Sequence, residues 1–99
     1  MSNETFGVYI KKAREAINLP LRKVAAHLDI DTSTLSKIER GDRAASSDYL
    51  QQLAEILYLD LKEVQTKFIA DKISKDFGGM EHLTEGLKAA EQQIKKNKK

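Results

Sequence analysis

The chain reads as an all-α protein. Its apolar residues recur at three- and four-residue steps, no stretch alternates as a strand would, and the breaks between periodic segments fall at Asn, Pro, Asp and Gly. Its 99 residues suit one modest core, and the balance of 40% hydrophobic to 32% charged residues is that of a folded domain.

The first helix spans about Glu4–Asn18, with Phe6, Ile10, Ala13 and Ile17 on its inner stripe. Asn18 is its expected stop; Pro20 prevents continuation and suits the entry of the next helix, where a missing N–H costs nothing. That second helix, Leu21–Leu28, turns Val24, Ala25 and Leu28 inward. A three-residue turn, Asp29-Ile30-Asp31, leads to a third helix over about Thr32–Arg40 that buries Leu35 and Ile38. Ser46 or Ser47 can cap a fourth helix, about Ser47–Tyr58, through a hydroxyl that accepts a free backbone N–H. Asp60 with Glu63 has the spacing of a capping box for a fifth helix, about Leu61–Phe77, striped by Leu61, Val64, Phe68, Ile69 and Ile73. Gly78-Gly79 then breaks the chain, because glycine readily takes positive φ. A sixth helix runs from Met80 or Glu81 to about Lys95, and the lysine-rich end is expected to fray.

The window Leu19–Gly41, LPLRKVAAHLDIDTSTLSKIERG, carries the function. Two short helices joined by a tight turn are the geometry that offers a helix to the DNA major groove. Ala25 must be small, since a larger side chain would hold the two helices apart. Asp31 can accept from the N–H groups opening the third helix. Thr32, Ser33, Ser36 and Lys37 lie opposite Leu35 and Ile38; the first three are short enough for close approach to base edges, and Lys37 can donate to guanine or to phosphate. Glu39 is expected to be structural, paired with a nearby basic side chain.

These residues resemble the lambda-repressor-like, or Xre-type, helix-turn-helix family. The match lies in Leu19, Val24, Ala25, Leu28, Ile30, Ser33, Leu35, Ser36, Ile38, Glu39 and Gly41, and extends more loosely through Leu50, Leu53, Ala54 and Leu57. The resemblance implies a five-helix DNA-binding domain with an extra C-terminal helix for dimerisation. It also implies base reading by Thr32, Ser33, Ser36 and Lys37, and backbone contacts from Arg40, Arg43 and the start of the second helix. Relatives often have Ser-Gln there; this chain has Pro20-Leu21, and Arg22 or Lys23 would replace the lost amide. Thr34 is expected to cap or to touch phosphate. The usual turn glycine is Asp29, which tolerates the left-handed conformation but brings a negative charge towards DNA.

The two expected units are residues 1–59, the DNA-binding domain, and 60–99, a helical dimerisation segment. Met80, Leu83, Leu87, Ala90 and Ile94 form a narrow apolar seam between charges, the pattern of a helix–helix contact. A two-fold dimer built from the last two helices is expected, with Val64, Phe68, Leu83, Leu87, Ala90 and Ile94 at its seam. It would read two half-sites roughly 34 Å apart on a pseudo-palindromic operator. Restriction–modification controller proteins are similar in length.

Composition narrows the alternatives. Residues 1–58 hold eight Lys/Arg and eight Asp/Glu, and residues 59–99 hold nine and seven, so no strongly basic block supports nucleic-acid binding by charge alone. With no Cys, a disulfide scaffold and a thiolate metal site are excluded. Neither His27 nor His82 has neighbours at metal-ligand spacing. A Cys nucleophile, a glycine-rich phosphate loop and HExxH are all missing, so an enzyme is the weakest reading, and no cofactor or small-molecule ligand is implied. No apolar run reaches membrane-spanning length and the N-terminus lacks a secretory apolar stretch, which makes the cytoplasm the expected compartment. The expected partners are double-stranded DNA and a second copy. The alternative is an antitoxin or interaction module whose C-terminal helices mask a partner protein.

Overall fold

The computed structural model describes residues 4–97. It contains α1 (Phe6–Ala16), α2 (Leu21–Leu28), α3 (Thr32–Arg40), a 3-10 turn at Ser47–Tyr49, α4 (Leu50–Ile56), α5 (Leu61–Phe77) and α6 (Leu83–Asn97), with no strand among the described residues. The core is the meeting of five amphipathic faces. Ile10, Val24, Leu35, Leu53 and Val64, one from each of α1 to α5, are its fully buried large side chains. Each such side chain contributes about 1.5–3 kcal/mol when removed from water.

The first four helices end in the same way. Asn18, Asp29, Gly41 and Tyr58 each take a left-handed conformation, with φ of 54°, 59°, 84° and 57°. The next residue then donates its N–H back five positions: Leu19 to Arg14, Ile30 to Ala25, Asp42 to Lys37 and Leu59 to Ala54, at 2.9–3.1 Å. These closures satisfy carbonyls that a helix end leaves free, and three of them point an apolar residue back at the core. Asn18 and Asp29 are legible as stops. Tyr58, an aromatic residue held left-handed, is not.

Several expectations give way to particular contacts. Ile17 is 40% exposed because α1 ends at Ala16 and the stripe has already left the core. Ser47–Tyr49 is a 3-10 turn, capped by Ser46 Oγ accepting from Asp48 N at 3.1 Å, so α4 is confined to Leu50–Ile56. Asp60 accepts from Lys62 N at 3.2 Å, but Glu63 does not complete a capping box. Its Oε1 accepts instead from the Tyr9 hydroxyl at 2.9 Å. Gly78 sits at φ −58° and Gly41 is the one glycine at positive φ, so the break after α5 needs no left-handed residue. Met80 precedes α6, which begins at Leu83. Of the terminal lysines, Lys98 and Lys99 lie outside the described residues.

Two corrections concern α5. Val64, expected at a dimer seam, has no exposed surface and belongs to the core. Phe68 meets Phe6 edge-on at 5.4 Å between ring centroids and is half-buried within the chain. With Leu61 also packed on the core, the N-terminal unit runs past residue 59 into the first half of α5.

Candidate nucleic-acid interface

What fixes α3 is its inner side. Leu35 and Ile38 are buried, and so is Glu39, the one buried charged residue among those described. Arg14 on α1 grips Glu39 with two parallel bonds, Nε to Oε2 at 2.8 Å and Nη2 to Oε1 at 3.0 Å. Its third nitrogen, Nη1, donates to Leu19 O at 3.0 Å. The carboxylate holds the guanidinium pKa above its ordinary value, against the opposing effect of burial. The backbones of α1 and α3 also touch: a Cβ on Gly7 would strike the carbonyl oxygens of Ile38 and Glu39. Neither Gly7 nor Arg14 stands out in the sequence. A charge at Glu39, on the face shared by Leu35 and Ile38, is the signal that a buried cation had to exist.

With its inner side locked, α3 presents Thr32, Ser33, Lys37 and Arg40 to solvent. Thr34 and Ser36 are half-buried. Asp31 opens the helix through its backbone carbonyl, which accepts from Leu35 N at 3.1 Å; its carboxylate makes no cap, contrary to the sequence expectation. Ser36 is also engaged differently from a free base reader. Its Oγ accepts from Arg40 Nη1 at 2.6 Å, while Arg40 Nε donates to Asp42 Oδ2 at 3.1 Å. The Arg40 guanidinium is thereby held over the last turn of α3.

The flanking cations are exposed. Arg22 and Lys23 stand at the start of α2, whose N-terminus has no side-chain cap after Pro20. Arg43 is exposed in the loop after α3 and lines a cleft of about 80 Å³ with Lys72 and Lys75. Lys75 is paired with Asp71 at 3.2 Å, so this cleft is not a uniformly basic surface. Among the described residues no group of three or more His, Asp or Glu is arranged to hold a metal, and no helix is long and apolar enough to cross a membrane.

A rigid inner side and an exposed polar outer side, separated from α2 by a left-handed turn, make a helix-turn-helix. A family profile described as helix-turn-helix matches residues 10–64, which run from within α1 to the start of α5. The chain belongs to the lambda-repressor-like (Xre-type) helix-turn-helix family. It is 31% identical over 80 residues to uncharacterized HTH-type transcriptional regulators of Mycobacterium tuberculosis strains H37Rv and CDC 1551. The aligned region covers 71% of this chain and 57% of each relative, so the chain spans little more than half the length of those curated proteins. No solved structure matches it significantly. Within that match α2 and α3 are the two helices of the motif, and the matched region ends at Val64, the core residue that ties α5 to the domain.

Proposed function

We propose that the protein is a sequence-specific transcriptional regulator that binds a pseudo-palindromic operator as a homodimer, with α3 in the major groove. The observation that carries this reading is the division of α3. Arg14 and the core immobilise Leu35, Ile38 and Glu39, while Thr32, Ser33 and Lys37 face outward on short or flexible side chains. Lys37 donates to guanine O6 and N7, and Thr32 and Ser33 contact base edges from the N-terminal turn. Ser36 contributes by orienting Arg40. Arg22, Lys23, Thr34, Arg40 and Arg43 hold phosphates and set the register.

A single short helix reads only a few base pairs, so a symmetric pair of recognition helices supplies the specificity. Support for the pair comes from the seam of half-buried Leu83 and exposed Leu87, Ala90 and Ile94. The same seam favours a second reading, an antitoxin-like module that masks another protein. Sedimentation at micromolar concentration separates the two, since a self-paired seam gives a dimer and a seam reserved for a partner leaves a monomer.

The decisive test of the regulator is selection of bound fragments from random DNA, followed by footprinting. The expected result is an enriched inverted repeat, with two protected half-sites centred roughly 34 Å apart. Binding without any enriched sequence would overturn the reading.

A further inference from the structure

The side of α5 that the core leaves uncovered is apolar at Ile69, Ile73 and Phe77. Between it and the base of α6 lies a cleft of about 620 Å³, lined by Ile73, Phe77, Met80, Leu83, Leu87 and Ala90 among others. Of the seven exposed large hydrophobic residues among those described, five lie on this limb: Ile69, Phe77, Met80, Leu87 and Ile94. Every residue of α6 beyond Leu83 is exposed through Asn97. A lone 15-residue helix is marginal in water, so this one requires a packing partner.

The chain itself supplies the matching surface. The stripe on α6 is Leu83, Leu87, Ala90 and Ile94, with steps of four, three and four. That spacing is the same read from either end. Two α6 helices laid antiparallel about a two-fold axis between Leu87 and Ala90 therefore set Leu83 opposite the partner's Ile94, and Leu87 opposite the partner's Ala90. Gly86, with open space where a Cβ would be, and Ala90 leave room for the helices to approach closely. Charge agrees with the same direction. Glu81 and Glu85 mark the start of α6, and Lys95 and Lys96 mark its end, so antiparallel pairing places an acidic end against a basic end twice. A parallel pair would set like against like.

We infer that a second copy of this chain lays its α6 antiparallel along α6, seating its Ile94 in the α5–α6 cleft, and that the two copies fill each other's clefts reciprocally. This rests on the homodimer reading and fixes its geometry. The interface is isologous, as a closed two-fold dimer requires, and the large side chains it covers are those the isolated chain leaves bare.

The chain is naturally free of cysteine, which makes the test direct. Leu83→Cys, Ile94→Cys and the double variant are prepared in the full chain and mildly oxidised. Within one α6 the two positions are roughly 16 Å apart along the axis, beyond disulfide reach. The expected result is a covalent dimer as the main species for the double variant and little cross-link for either single variant. Cross-linking of the single variants as readily as the double would indicate parallel helices and overturn the inference. A sedimenting dimer in which the double variant fails to cross-link would overturn the antiparallel seating while leaving the homodimer standing. A monomer at micromolar concentration would overturn both. Independently, Leu87→Glu is expected to shift the mass from dimer to monomer with the helical circular dichroism signal of the N-terminal domain retained, and a variant that stays dimeric contradicts the seam.

Discussion

Arg14 and Glu39, 25 residues apart, close a two-point ion pair at 2.8 and 3.0 Å that joins the last turn of α1 to the last turn of α3. The pair is well shielded, with 13% of the Arg14 side chain and 5% of the Glu39 side chain exposed. Removing one partner strands the other charge in a poorly solvated site, a loss of about 3 kcal/mol. Glu39→Ala is therefore expected to shift the urea midpoint strongly downward. Arg14→Met combined with Glu39→Leu should recover most of that loss, because the cost comes from the unpaired charge rather than from the absent attraction.

Gly7→Ala tests the close approach of α1 to α3. Helix propensity alone favours alanine by about 1 kcal/mol. Here the added methyl meets the carbonyl oxygens of Ile38 and Glu39, which belong to a helix held by the core and cannot yield cheaply. The expected net effect is destabilisation by roughly 1–2 kcal/mol, read by thermal or urea unfolding. A stabilised variant would mean that the two helices separate at little cost.

Asp29 occupies a left-handed position at the turn between α2 and α3. Asp29→Gly relieves that conformation, with an expected gain of about 0.5–1 kcal/mol. It also removes a negative charge beside α3, so on the proposed function affinity for any duplex should rise together with stability. Unfolding curves and titrations on random DNA check the two effects separately.

The alkaline limb of stability should report Tyr9. Burial, and then its hydrogen bond to Glu63, raise the Tyr9 pKa above its ordinary value of 10.0. The unfolded chain therefore releases this proton at lower pH than the folded one, so the contribution is intact below about pH 10 and is lost as pH climbs above it. Tyr9→Phe should cost about 1 kcal/mol at neutral pH and make the decline above pH 10 shallower. Denaturation midpoints at pH 8 and pH 10.5 give the comparison.

The local rules that succeeded in the sequence were those with a short-range cause. Asn18, Pro20, Asp29 and Gly41 bracket α1, α2 and α3 because left-handed residues and a missing N–H act on their own backbone. The Thr32–Arg40 span and its inward Leu35 and Ile38 follow from periodicity. Assignments that depended on a distant partner failed. Glu63 has capping-box spacing, yet Tyr9, 54 residues away, takes its carboxylate. Val64 and Phe68 share a helix with Ile69 and Ile73, and periodicity cannot distinguish a helix with two apolar sides from one with a single broad side. Within the candidate site, the exposure of Thr32, Ser33 and Lys37 was legible. The capture of the Ser36 hydroxyl by Arg40 was not, because it depends on which way a long side chain turns.

The most direct test of the account is the affinity of Lys37→Ala for the selected operator and for random duplex, measured side by side at one salt concentration. Lys37 is exposed in the last turn of α3. A base contact there predicts a loss of about 1–3 kcal/mol on the operator, with little change on random DNA. Undiminished binding of the operator would contradict an α3 that reads bases through its outer face.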